Sequence, residues 1–221
     1  MYAHGEWARP DAAQNLIHNS NGGPIIVSIT VEAGAGGEAW AMFANTYANN
    51  IIRGSSRAGD EVGDQITLNG GMKTGSGSSN LIETGDGNDT VRVFGDIFGA
   101  NNSINTGEGN DVIHLKGKAG SLNLDAGDGY DTLVLEAADW ATFQEYYGDW
   151  LTNNFNNMNV ETIHVKVSDE ASMNQVRDFF EGNPDCADVT LNYSYDHNLD
   201  MSGYLDADGN SEFNLGDILD I

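Results

Sequence analysis

Three aspartates each close a short, glycine-spaced phrase: Thr84-Gly-Asp-Gly-Asn-Asp89, Thr106-Gly-Glu-Gly-Asn-Asp111 and Ala126-Gly-Asp-Gly-Tyr-Asp131. Glycine permits tight backbone angles that turn carbonyl oxygens into the gap between successive copies. The closing aspartate adds a charged oxygen beside them. That is donor chemistry for a hard cation, and calcium takes about six to eight such oxygens at flexible distances. The closing aspartates lie 22 and then 20 residues apart (89 to 111, 111 to 131). An ion held between two copies would make binding and stacking one event.

The phrases must be positioned by the elements around them. Each is followed by an alternating apolar run: Val91 and Val93, Ile113 and Leu115, Leu133 and Leu135. Each is also preceded by one, with Ile82, Ile104 and Leu124 three residues before Gly85, Gly107 and Gly127, and Asn80, Asn102 and Leu122 two residues earlier on the same face. A unit of strand, glycine turn, strand and return at near-fixed period predicts a parallel β-solenoid. Ile52 begins an earlier, degenerate copy running through Gly59-Asp-Glu-Val-Gly-Asp64 to Ile66 and Leu68, where Val62 replaces a turn glycine. Residues 24–49 supply a first rung, with Ile26, Val27, Ile29 and Val31 as strand material. Ala39 to Phe43 fits a returning strand, and alanine-rich Glu38 to Ala48 fits a short helical cap. Residues 1–23 show no period and are expected to cover the open end, since bare strand edges invite aggregation.

The pattern changes after Leu135. Asp139 can N-cap a helix whose Trp140, Phe143, Tyr146, Tyr147, Trp150 and Leu151 form one apolar stripe. An asparagine-rich linker leads to Val160–Val167, which alternates as a strand with Ile163, Val165 and Val167 inward. Ser168 or Asp169 can cap a second helix that Gly182-Asn-Pro184 stops, and Ala187 to Tyr195 reads as another strand. The expected organisation is an N-terminal cap and first rung over 1–49, a cation-binding solenoid over 50–136, an α/β capping region over 137–195 and an acidic tail over 196–221. The fold class is mainly β: a right-handed parallel β-roll or β-solenoid of about five turns with a small α/β C-terminal cap.

Composition narrows the function. The chain carries 34 acidic and 9 basic side chains, a formal net charge of −25. Such a chain repels nucleic acid and anionic membrane faces, and its self-repulsion opposes compaction unless cations neutralise it. Cys186 is the single cysteine, so no internal disulfide framework exists. No apolar stretch is long enough to span a membrane, and residues 1–20 hold no apolar core of a cleavable secretory signal.

The three phrases resemble the RTX nonapeptide repeat, Gly-Gly-x-Gly-x-Asp followed by a large apolar residue, over residues 80–136 and more weakly over 50–79. The resemblance implies a calcium-binding β-roll with Asp89, Asp111 and Asp131 as carboxylate ligands. It implies one ion completed by backbone carbonyls at Thr84, Asp86, Gly107 and Gly109, and another by those at Thr106, Glu108, Gly127 and Gly129. Asp64 with Gly85 and Gly87 would hold a third. Thr or Ala stands where the family's first glycine would be, and each period is longer than usual, so a single column of ions is expected. Similarity to RTX adhesins and exoproteins further implies a calcium-folded module of a secreted or cell-surface bacterial protein. Export would be by a type I system, with other domains of a larger protein as neighbours.

A second acidic motif lies near the end. Asp206, Asp208, Asn210, Glu212, Asn214 and Asp217 occupy positions 1, 3, 5, 7, 9 and 12 of an EF-hand-spaced loop. It resembles the dockerin variant, which closes with aspartate, but Ser211 takes the place of the usual glycine. A closing strand built on Phe213, Leu215, Ile218 and Leu219 is the competing interpretation. No catalytic residues are assigned. The rival functions are a carbohydrate-active lyase or epimerase, for which Arg92 and His114 on neighbouring strands are the candidates, and a partner-binding module.

Overall fold

The computed structural model describes residues 13–18, 25–30, 40–44, 48–54, 63–183 and 190–194. The chain is mainly β, and among the described residues all strand pairs are parallel. The described residues form fifteen strands in three sheets. The first contains β1 (Ala13–His18), β4 (Ala48–Arg53), β7 (Ser79–Asp86), β10 (Asn102–Glu108) and β12 (Leu122–Asp128), in that order. The second runs from β2 (Ile26–Thr30) through β5 (Gln65–Asn69), β8 (Thr90–Phe94), β11 (Val112–Lys116), β13 (Thr132–Glu136) and β14 (Thr162–Lys166) to β15 (Thr190–Ser194). The third is β3 (Trp40–Ala44), β6 (Gly71–Thr74) and β9 (Ile97–Phe98). From β1 to β9 consecutive strands visit the three sheets in rotation; β10 to β13 alternate between the first two, and β14 and β15 stay in the second.

Alternation decides which side chains fill the interior. Ile52, Ile82, Ile104 and Leu124 are register partners on the first sheet, each at most 2% exposed. Ile66, Val91, Ile113, Leu133 and Ile163 do the same on the second and are fully buried. Both stripes belong to one apolar cluster. Asn80 and Asn102 sit on the same inner face as a ladder. Asn50 Nδ2 donates to Asn80 Oδ1 at 2.9 Å, and Asn80 Nδ2 to Asn102 Oδ1 at 2.8 Å, so the buried amides satisfy one another.

The repeat shortens along the chain because the link from β4, ending at Arg53, to β5, starting at Gln65, is longer than that from β7, ending at Asp86, to β8, starting at Thr90. Asn50 and Asn80 are 30 residues apart, whereas Asn80 and Asn102 are 22 apart. Beyond β9, the segment linking β11 to β12 is met instead by the helical stretch 140–157. Ala119 N–H donates to Tyr146 C=O at 3.1 Å, Trp150 Nε1 to Leu122 C=O at 2.8 Å, and the Tyr147 hydroxyl lies 2.9 Å from the carbonyls of both Leu115 and Glu136. This stretch comprises α1 (Trp140–Phe143), one wide π turn (Gln144–Gly148), α2 (Asp149–Asn154) and a 3₁₀ turn (Phe155–Asn157). Asp139 caps it as expected, accepting from Thr142 N–H at 2.8 Å. Helix α3 (Glu170–Glu181) is capped by Asp169 through Ser172 N–H at 2.8 Å and buries Val176 and Phe180.

Three features extend the sequence expectation or decide between its alternatives. Residues 13–18, expected only to cover the open end, form a strand paired with β4. Trp40–Ala44 takes the expected returning strand and not the alternative helical cap, held by parallel pairing to β6. The strands expected in the capping region, β14 and β15, continue the second sheet in register with β13. Residues 1–12, Gly59 to Val62, Cys186 and the loop from Asp206 to Asp217 lie outside the described residues.

Candidate functional site

The phrases fall where the first sheet hands over to the second. Gly85, Gly107 and Gly127 are in register, as are Asp86, Glu108 and Asp128. The glycines are required by close stacking. Gly107 has φ +105°, and a Cβ there would lie 2.0 Å from the Gly85 carbonyl oxygen. At Gly129 it would lie 1.6 Å from that of Gly109. Any side chain at these positions would strike the carbonyls of the copy beneath.

Directly before five strands of the second sheet, β5, β8, β11, β13 and β14, stands an acid, and these acids form a column. Asp64 N–H donates to Asp89 Oδ1 at 2.6 Å, Asp89 N–H to Asp111 Oδ1 at 2.8 Å, and Asp111 N–H to Asp131 Oδ1 at 2.8 Å. The column extends beyond the three phrases at both ends. Ile25 N–H donates to Asp64 Oδ1 at 2.5 Å, and Asp131 N–H to Glu161 Oε2 at 2.7 Å. Each carboxylate thus straps its own turn to the one before it.

The second oxygen of each repeat aspartate has no such role. Asp89, Asp111 and Asp131 are at most 1% exposed, and the Oδ2 atom of each is buried without a hydrogen-bond partner. Burial pushes the Asp89 carboxyl up to about 8, Asp111 to about 6 and Asp131 to about 7. Backbone donors oppose this shift: Asp64 N–H for Asp89, Asp89 N–H for Asp111 and Asp111 N–H for Asp131. A buried carboxylate oxygen with nothing to accept from is costly. It needs a proton or a cation, and an oxygen donor of this kind fits calcium.

The expected ligands are brought together unevenly. Thr84, Gly85, Asp86, Gly87 and Asp89 stack on Thr106, Gly107, Glu108, Gly109 and Asp111, and the phrase ending in Asp131, with Gly127 and Gly129, stacks on those. Several expected carbonyl donors already accept a hydrogen bond. The Thr106 carbonyl takes the Thr84 hydroxyl at 2.9 Å, and the Glu108 carbonyl takes Gly87 N–H at 2.8 Å. A carbonyl has two lone pairs, so each keeps one for a cation. Asp64 belongs to the column, as its degenerate phrase suggested. Among the described residues no three His, Cys, Asp or Glu side chains converge on one point. An ion here would draw on one carboxylate per level and on the backbone.

Glu161 escaped the sequence reading because no glycine precedes it. Its signal was position: it stands directly before Thr162, as Asp64, Asp89, Asp111 and Asp131 stand before Gln65, Thr90, Val112 and Thr132. Arg92 and His114 are register partners on the outward face of the second sheet. No protein-family model matches this chain, and no curated protein or solved structure does either.

Proposed function

We propose that this chain is a calcium-binding structural module: a parallel β-solenoid of the RTX type, built from successive turns that the ions help to hold together. The observation that carries this reading is the column of buried aspartates, in which Asp89, Asp111 and Asp131 each spend one oxygen on the neighbouring turn and keep the other unpartnered. The rotation of β1 to β9 among three parallel sheets, and the alternation of β10 to β13 between two of them, support the solenoid. Asp89, Asp111 and Asp131 would hold the ions, with the glycine-flanked carbonyls as further donors. Calcium would supply the positive charge that lets these carboxyls ionise while buried.

A module of this chemistry depends on its surroundings. At low calcium, the column and the net charge of −25 oppose compaction. At roughly millimolar calcium, typical of extracellular sites, the ions favour the folded chain. Location outside the cell, on a secreted or surface protein of the RTX kind, follows from that dependence and from the resemblance.

The test is circular dichroism and thermal melting of chelated protein during a calcium titration, with magnesium as control. A calcium-specific gain in β-structure with a concentration-dependent melting temperature is the expected result. Identical folding in chelator and in calcium would overturn the reading.

A further inference from the structure

The two long sheets differ on their outward faces. On the first, Ser103 and Asp125 are half-buried and Asn105 and Asn123 exposed, as alternation at a solvated face requires. On the second, β11, β13 and β14 bury both faces: Ile113, Leu133 and Ile163 inward, and His114, Val134 and His164 outward, each set in register. Val134 is 2% exposed and His164 1%, and burial pushes the His164 imidazole down to about 4. A parallel sheet whose strands bury both faces is a covered sheet.

Among the described residues no helix or strand supplies that cover. The described helices pack on the interior instead. Trp150 Nε1 donates to the Leu122 carbonyl, and Phe180 meets Phe143 and Phe155, all within the apolar cluster of the inward stripes. The face also has a charge of its own. It carries Arg92, Lys116 and Lys166 against Glu136 alone, in a chain of net charge −25, and Val112 and Val134 give it an apolar centre.

One segment outside the described residues matches both properties. Residues 195–221 hold seven acidic side chains and no lysine or arginine, whereas each of the other such segments holds at most two acids. Phe213, Leu215, Ile218 and Leu219 stand among those acids. The segment directly follows β15, the edge strand of this same sheet. From β15 to β8 is four strand steps, about 19 Å, and 27 extended residues reach roughly 90 Å.

We propose that residues 195–221 dock on the outward face of the second sheet, their apolar residues against Val112 and Val134 and their acids against Arg92, Lys116 and Lys166. The docking is independent of the aspartate column and does not rest on the calcium reading. Like-charged copies of a chain this acidic repel one another, so the cover is the chain's own segment rather than a second molecule.

The experiment measures thiol labelling of full-length Val134→Cys in a Cys186→Ser background, where a single thiol reacts. Asn123→Cys, on the outward face of the first sheet, is the exposed control. Val134→Cys should react at least tenfold more slowly than Asn123→Cys. Changing Phe213, Leu215, Ile218 and Leu219 to serine should raise the Val134→Cys rate at least tenfold, with the control rate and the circular dichroism unchanged. Rapid labelling of Val134→Cys in the otherwise native chain, or protection that survives the serine changes, overturns the proposal. Protection that disappears on dilution marks a second copy as the cover and overturns it too. Thr132→Cys, on the same face, takes the place of Val134→Cys if that variant fails to fold.

Discussion

The aspartate corner at 84–131 and the aromatic packing at 140–180 are equally buried, yet opposite physics holds them. Phe143, Tyr147 and Phe180 are at most 1% exposed and meet ring to ring, Phe143 lying 5.7 Å from Tyr147 and 6.1 Å from Phe180. Their burial is favourable by itself. The carboxyls of Asp89, Asp111 and Asp131 are just as deep, but their burial is unfavourable until a proton or a cation arrives. One half of the molecule is thus self-sufficient, and the other depends on what the solvent supplies.

The largest separation of the two regions should come from calcium itself. Each site loaded at a hundredfold excess over its Kd adds about 2.7 kcal/mol. Melting should rise steeply with calcium, and hydrogen exchange should show protection gained at 84–131 more than at 140–180. Equal gains in both regions would break the comparison. Next in size is Phe143→Ala, which should cost about 3–5 kcal/mol by denaturant unfolding, in calcium and chelator alike.

pH sharpens the contrast further. The three aspartates have pKa values of about 8, 6 and 7 in the folded chain, all above those of an unfolded aspartate. Between about pH 4 and 8 the folded chain therefore binds more protons than the unfolded one. In chelator, this part of the stability is present at low pH and is lost as pH rises through 6, 7 and 8. Melting at pH 5.5 should exceed melting at pH 8 without calcium, and saturating calcium should remove that difference. Asp111→Asn should be smaller still and change sign with the solvent. It should be destabilising by about 1–3 kcal/mol in calcium, and neutral or stabilising in chelator at pH 8, where the native carboxyl is charged and unpartnered. The smallest effect belongs to Asp139→Ala, about 1 kcal/mol from loss of the cap on Thr142, independent of calcium.

Much of this contrast was legible in the sequence. The three glycine-spaced phrases and their flanking alternation located β7, β8, β10, β11, β12 and β13, because tight turns and half-buried strands impose strict residue rules. The cap at Asp139 and the aromatic stripe after it were equally readable. Of the third sheet only the returning strand near Ala39–Phe43 was readable, since Gly71–Thr74 and Ile97–Phe98 are too short to show a period and exist through pairing with their neighbours. The strand at 13–18 owes its form to β4 rather than to its own pattern. Within the site, the aspartates were found by spacing, but the strap from each carboxylate to the preceding backbone N–H was not. It joins residues 20 to 25 apart and appears only once the turns are stacked.

The most direct test is calorimetry of calcium binding to the chelated chain at pH 7, in two buffers of different ionisation enthalpy. If the buried aspartates are the ligands, calcium must displace the protons that burial retains on Asp89 and, in part, on Asp131. The apparent binding heat should then depend on the buffer, proton release should diminish in Asp89→Asn, and the number of ions bound should fall. Calcium binding without proton release, or with unchanged stoichiometry in that variant, would place the ions elsewhere and contradict the account.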